Sequence, residues 1–359
     1  MFNILMCGPI LDAGGVAIHT QNLTKCLSDK GNSVIIYNTS TTPKPLRTFG
    51  HLLKLWRRSL GIIFYSAFSR NKFDIMHIQC SGGFFSFLSA ISGSLASKLL
   101  RKNLVITFHY RPSKEFIHKY RWYINFVLKM SDAFFVVSEK QRDLINQIFP
   151  LFSSKVHVIP NGFYPDKFTI LDQTLCRSKL NLPLNKKILL NIGNLVPEKG
   201  QKYLIEAMSE IVKQRNDVIC IIVGSGSMKS NLESLISQLK LTNYVKLVGK
   251  KPHDEIPLWI NGCDVFVLPS LIEGNPTVMF ECLGCGKPFV GTKVGGIPEI
   301  ITSDKYGLLT LPNNLKPLIS SILTSLDMQW DRKEIKRYSE NYSWIAISSV
   351  MENTYKSIS

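Results

Sequence analysis

Residues 265–299 read VFVLPSLIEGNPTVMFECLGCGKPFVGTKVGGIPE. The apolar run 265–268, half of it valine, has the length of a buried strand. Residues 269–274 form a loop. Asn275 suits a helix N-cap and Pro276 the first helical position. The helix is expected to pass through Met279 and Glu281 and to stop near Gly284 or Gly286, with Pro288 beyond. A short strand follows at 289–292, then Gly295-Gly296 and a further helix start at Pro298. Strand, helix and strand in this alternation are the mark of an α/β protein.

Two carboxylates bracket the first of these helix starts. Glu273 lies two residues before the expected N-cap, and Glu281 lies about a turn and a half inside. Between them are backbone N–H groups without intrahelical partners and the positive end of a helix dipole, which together make an anion site. One economical reading is a nucleotide-sugar site. Amides would hold the diphosphate, one glutamate would accept from ribose, and the other would face the sugar. The other reading is that Glu273 caps the loop and Glu281 sits on a solvated helix face.

Glu273-x7-Glu281, with Pro269-Ser270 before it and Gly295-Gly296-Ile297-Pro298-Glu299 after it, resembles the donor-site signature of retaining family-4 glycosyltransferases, the group 1 glycosyl transferases. The resemblance implies two facing Rossmann-like domains, the glycosyltransferase B arrangement, with the active site in the cleft between them. It runs through most of the chain, strongly over 187–301 and more weakly before Ala133.

Residues 188–192 open a second Rossmann-like unit. Its loop, Gly193-Asn194-Leu195-Val196-Pro197-Glu198-Lys199-Gly200, is similar to the family's pattern of a glycine, a basic residue and a terminal Glu-Lys-Gly. Lys199 matches the position that pairs with the diphosphate. Asn194 departs from the pattern, because relatives commonly carry Arg there, and Asn brings donors without charge. Gly249-Lys250, after a strand at 245–248, resembles the loop around the nucleobase, and a short helix is expected over 253–260. The resemblance thus implies donor contacts from Gly193, Asn194, Lys199, Gly249, Lys250, Glu273, Gly274, Asn275, Pro276, Thr277 and Glu281. Gly224-Ser225-Gly226 is better read as a tight strand-to-helix turn. Pro160-Asn161-Gly162 punctuates a domain boundary and resembles the family's crossover. Residues 342–344 and the helix after them resemble its last element. The expected domains are therefore 1–162, an acceptor-side unit completed by the helix 344–359, and 163–343, which binds the donor.

The first half begins with a strand at 2–7, a loop with Gly14-Gly15, a helix at 16–28 and a strand at 34–37, a Rossmann-like opening without the dinucleotide fingerprint. Gly14 and Gly15 would let backbone approach the ligand. The strand 104–108 ends in His109, where α/β sheets bind ligands. His109 also matches the family histidine that contacts the donor sugar. His19, His77, His118 and His157 carry no comparable signal. Residues 51–70, HLLKLWRRSLGIIFYSAFSR, place Leu52, Leu53, Trp56, Leu60, Ile63 and Phe64 at helical spacing beside Lys54, Arg57, Arg58 and Arg70. This composition suits an interfacial membrane helix or a core-packed helix with a basic edge.

The chain of 359 residues carries a formal charge of +17. Residues 1–160 hold 20 Lys and Arg against 7 Asp and Glu, a basic balance that points to an acidic partner such as an anionic membrane. Nucleic acid is not expected, since no binding motif accompanies the charge. The eight cysteines form no disulfide framework, so a cytoplasmic setting is expected. Cys282-x-x-Cys285 reads as helix packing in preference to a metal or redox pair. The start MFNILMCGPI lacks the basic region and length of a signal peptide.

The function implied is retaining transfer of a hexose or related sugar from a nucleotide diphosphate sugar to a hydroxyl acceptor. His109, Glu273 and Lys199 would be catalytic. No cofactor is expected, and no metal, since the chain has no Asp-x-Asp motif. The expected acceptor is a lipid-linked or surface-polysaccharide saccharide at the inner face of the membrane. Two alternatives stand beside this: a non-catalytic or degenerate sugar-nucleotide-binding protein, made conceivable by Asn194, and a sugar-nucleotide epimerase on the same fold.

Overall fold

A computed structural model describes the chain except for residues 12–14, 41–46, 83 and 110–112. Two compact units are present: Met1–Gly162 with Trp344–Ser359, and Phe163–Ser343.

The first unit is built on six parallel strands: β1 (Asn3–Gly8), β2 (Ser33–Asn38), β3 (Ile75–Cys80), β4 (Asn103–Phe108), β5 (Ala133–Val136) and β6 (Val156–Val158). Their order is β2-β1-β3-β4-β5-β6. The order reverses between β1 and β3, the switch point beside which doubly wound sheets bind ligands. Every residue of β3 and β5 is buried, as expected of strands covered on both faces. β3 nevertheless carries His77 and Gln79 inside its apolar run. The final helix, Trp344–Ile358, packs beside Gly15–Asp29 as part of this unit.

The second unit also has six parallel strands: β7 (Lys187–Ile192), β8 (Val218–Val223), β9 (Val245–Leu247), β10 (Val265–Leu268), β11 (Phe289–Thr292) and β12 (Gly307–Thr310). Their order is β12-β11-β10-β7-β8-β9. This is the dinucleotide-binding order, with its switch point between β7 and β10. The loops after those two strands, 193–200 and 269–276, flank it. Apolar clusters fill both faces of the sheet, one around Phe266, Phe280 and Phe289, the other around Leu204, Met208 and Val267.

Three local expectations are corrected. The helix after β10 is Thr277–Gly284, and its N-cap is Pro276, not Asn275. Asn275 is turned into the protein, and the first turn closes from Met279 N–H to the Pro276 carbonyl. The single helix expected over 51–70 is two, Arg47–Arg58 and Leu60–Phe68, broken at Ser59, whose φ and ψ of −125° and −99° are not helical. The short helix expected from His253 begins at Ile256, leaving His253 in the preceding turn.

Candidate active site

In the second unit the sequence makes two backbone loops meet. Gly200 has φ +66°, and a Cβ there would lie 2.0 Å from the Pro269 carbonyl oxygen, so only glycine fits. This close approach seats the Pro197–Lys199 turn against the loop after β10, where Leu271 N–H donates to the Glu198 carbonyl. Lys199 is thereby placed beside Glu273, and its Nζ donates to Oε1 at 2.7 Å and Oε2 at 2.8 Å. Ser270 Oγ donates to the same Oε1. Glu273 is buried, while about a quarter of the Lys199 side chain is exposed. Gly295, at φ +55°, closes the other side: a Cβ would strike the Glu273 and Gly274 carbonyls, and Gly296 N–H donates to the Gly274 carbonyl.

Pro276 caps the Thr277–Gly284 helix without any side-chain hydrogen bond. The cap therefore leaves the Thr277 and Val278 N–H groups unmet among the described residues, while Met279 N–H is taken by the Pro276 carbonyl. Glu281 lies farther along this helix, also buried. Its Oε1 accepts from His253 Nε2 at 2.8 Å. Lys167 Nζ lies 2.9 Å from His253 Nδ1 and donates to Asp254 at 2.7 Å. Because an ammonium only donates, Nδ1 is an acceptor and Nε2 carries the ring proton that Glu281 receives. Lys167 and His253 went unnoticed in the sequence, since nothing local signals a partner 28 or more residues away.

Gly193 and Gly249 are partly exposed, and Asn194 and Lys250 are exposed. The Asn194 carbonyl accepts from Gln201 Nε2, while its side chain points to solvent. Gly274 and Thr277 are half-buried and Pro276 is buried. Cys282 and Cys285 are fully buried; burial pushes both thiols up, and the Cys282 thiol donates to the Lys287 carbonyl.

In the first unit, Gly15 begins the helix after β1 and is exposed; Gly14 lies outside the described residues. His109 follows β4, its N–H donating to the Cys80 carbonyl. Its Nε2 lies 2.7 Å from Gln79 Oε1, and the His19 ring stands edge-on at 4.3 Å between centroids. Burial holds the His109 imidazole well below the usual histidine range, and the neighbouring His19 and His77 add to the effect. His19 and His77 therefore belong to the surroundings of His109. The signal for His77 was present as a two-residue alternation, His77-x-Gln79 on β3 and Thr107-x-His109 from β4.

The chain is similar to known proteins in both units. Residues 172–342 match the model for glycosyl transferases group 1, and residues 13–167 match that for glycosyltransferase family 4. An uncharacterized glycosyltransferase of Methanocaldococcus jannaschii is 26% identical over 96% of this chain and 95% of its own length. The UDP-Gal:alpha-D-GlcNAc-diphosphoundecaprenol alpha-1,3-galactosyltransferase of Escherichia coli is 26% identical over 74% of this chain and 70% of its own. Among solved structures, Anabaena HepE in complex with UDP-glucose superposes with a TM-score of 0.79 at 21% identity, covering 99% of this chain and 100% of that one. Two six-stranded parallel sheets, two family models and neighbours of the glycosyltransferase B fold lead to one assignment: the chain belongs to the family-4, group 1 glycosyltransferases.

Proposed function

We propose that this glycosyltransferase moves a hexose or related sugar from a nucleotide diphosphate sugar to a hydroxyl acceptor, with retention. The observation that carries the reading is the convergence of Lys199, Glu273 and an uncapped helix start beside the β7–β10 switch point. Breaking the glycosidic bond leaves negative charge on the diphosphate. Lys199, Asn194 and the N–H groups after Asn275 are donors fixed in advance for that charge. Glu281 holds the ribose, with His253 and Lys167 orienting it. Glu273 faces the sugar, Gly249 and Lys250 line the base, and His109 orients sugar and acceptor from the first unit, the acceptor-side domain. Gly14 and Gly15 admit the ligand to the backbone. These donors stabilise the leaving group without calling on a metal or cofactor.

The E. coli relative acts on a diphosphoundecaprenol-linked acceptor, and the Anabaena neighbour binds UDP-glucose. We extend both chemistries to this chain: a nucleotide-sugar donor, and a lipid-linked or surface-polysaccharide acceptor at the inner face of the membrane. No described helix is long and apolar enough to cross a bilayer. Peripheral contact is supported by the Arg47–Arg58 and Leu60–Phe68 helices, which expose Leu52, Trp56, Leu60, Phe64 and Phe68 beside basic residues. Apolar side chains beside basic ones suit an anionic interface.

A thermal-shift screen with UDP, GDP, ADP, dTDP and CMP, then the matching sugar nucleotides, tests the donor site. One diphosphate should stabilise the protein by mass action, and Lys199→Ala and Glu281→Ala should abolish the shift. No response to any nucleotide would count against the donor site. Liposomes containing anionic lipid should retain the protein at moderate salt; passage in the unbound fraction would refute the membrane contact.

A further inference from the structure

A polar side chain buried in a parallel sheet costs free energy unless its polar atoms are paired. β3 carries two such residues, His77 and Gln79. They lie two apart and so face the same side of the sheet. β4 brings Thr107 and then His109 to that side, with Thr107 directly across from Gln79. The chemistry of this row fixes where each proton lies.

Gln79 Nε2 lies 3.3 Å from Met6 Sδ and 3.2 Å from His77 Nε2. A thioether sulfur only accepts, so the amide NH2, not its oxygen, faces Met6. The same NH2 faces His77 Nε2, which Thr107 Oγ1 also approaches at 2.7 Å. His77 Nε2 is therefore the unprotonated nitrogen. Its ring proton is on Nδ1, which donates to Tyr355 Oη at 2.7 Å. With the NH2 so placed, Gln79 Oε1 faces His109 Nε2 at 2.7 Å and can only accept. His109 thus carries its proton on Nε2, and its lone pair is on Nδ1. Burial keeps this ring neutral, and Nδ1 has no hydrogen-bond partner among the described residues. The Gln79 stem has little room to move: a methyl group added at Gly8 would sit 3.0 Å from both its Cβ and Cγ.

We propose that Gln79 is a positioning residue that locks His109 in the Nε2–H tautomer and presents Nδ1 as an acceptor for a hydroxyl of the donor sugar. The proposal rests on the reading of His109 as a donor-sugar contact. It adds the direction of that contact: the sugar donates and the protein accepts. A donor sugar lacking the hydroxyl proton at that position is therefore discriminated against. Tyr355, from the final helix, anchors the far end of the row, so His109 is aligned by a relay running from that helix through His77 and Gln79.

The full chain labelled with ¹⁵N at histidine, observed by long-range ¹H–¹⁵N correlation and assigned with His109→Gln, reads the tautomer without any substrate. His109 should show one neutral form with Nδ1 unprotonated. Gln79→Leu should give a mixture of tautomers. Gln79→Glu retains an oxygen facing Nε2 and should keep a proton on that nitrogen. A wild-type proton on Nδ1, or an unchanged tautomer in Gln79→Leu, overturns the proposal. The wild-type spectrum alone decides this point if the leucine variant fails to fold. Turnover is followed as UDP release from UDP-glucose, with UDP-galactose and UDP-N-acetylglucosamine in parallel. Gln79→Leu should lower kcat about tenfold while leaving UDP affinity within about twofold of the wild type. If His109→Gln leaves kcat unchanged while the tautomer is as stated, the donor-contact reading fails and the proton assignment stands. If His109→Gln abolishes turnover but Gln79→Leu matches wild type, the positioning role fails alone.

Discussion

Acidification should destabilise the first unit through its buried histidines, in a pH window where few other groups titrate. His19 is about 1% exposed and His77 fully buried. Burial is the main cause that lowers both, His19 to about 4 despite its hydrogen bond to Asn161, and His77 to about 3. In the unfolded chain both titrate near 6.5. Between 6.5 and the folded values the unfolded state therefore holds protons that the folded state does not, so stability falls as pH falls through 6.5. At pH 5.0 each residue costs about 2 kcal/mol relative to neutral pH, and the pair about 4 kcal/mol. His109, also held low, acts in the same direction. Carboxylates whose folded values are lowered, such as Asp74 and Glu352, lose their contribution only at lower pH, because their unfolded values lie near 4. For a unit of this size 1 kcal/mol moves the midpoint by about 2–4 °C. Calorimetry from pH 7.5 to 5.0 should therefore show the first unit's Tm falling by roughly 10 °C. His19→Gln should remove about 2 kcal/mol of that loss at pH 5.0 and flatten the slope accordingly. A Tm unchanged over this range, or an unchanged slope in the variant, would refute the claim that these rings are held neutral by burial.

Three further outcomes follow from the second unit. Lys199→Ala should lower turnover about 100-fold and remove the stabilisation by a nucleoside diphosphate; retention of both would exclude Lys199 from the site. His253→Ala frees Glu281 to rotate and should weaken nucleotide binding about tenfold, read by isothermal titration, with Lys167→Ala showing a smaller effect in the same direction. Asn194→Arg adds a charged donor at the exposed Asn194 position and should tighten diphosphate binding about tenfold. A large gain in turnover with it would show that the natural site is a weakened one.

Much of this was legible because α/β proteins write their strands as apolar runs and their ligand loops as glycine-rich punctuation. Residues 265–299 gave the strand, loop, helix and strand in order, and the two loops at the β7–β10 switch point were both marked by residue type. What local pattern could not give was direction. Asn275 has the composition of a cap, but its side chain is turned inward, so the helix begins one residue later. Residues 51–70 keep helical spacing throughout, yet the chain breaks at Ser59, where Arg57 and Arg58 donate to the Ser40 and Thr39 carbonyls beyond β2. His253 and His19 are hidden from local pattern for a different reason. Their partners lie 28 and 142 residues away, and only the folded chain brings each pair together.

The proposed donor site holds a tension that its geometry resolves. A diphosphate must enter beside two buried carboxylates, and bare negative charge there would repel it. Each carboxylate is already engaged: Glu273 by Lys199 and Ser270, Glu281 by His253, which itself accepts from Lys167. Lys199 has three N–H donors and gives two to Glu273. The third can serve a phosphate oxygen without breaking the pair. Sugar-facing carboxylate and phosphate-facing cation are then one unit, and disturbing either end disturbs the other. Glu273→Gln should therefore impair binding of the nucleoside diphosphate alone, although that ligand carries no sugar for Glu273 to meet. If UDP binds Glu273→Gln as tightly as the wild type, the two residues act separately and this coupling is wrong.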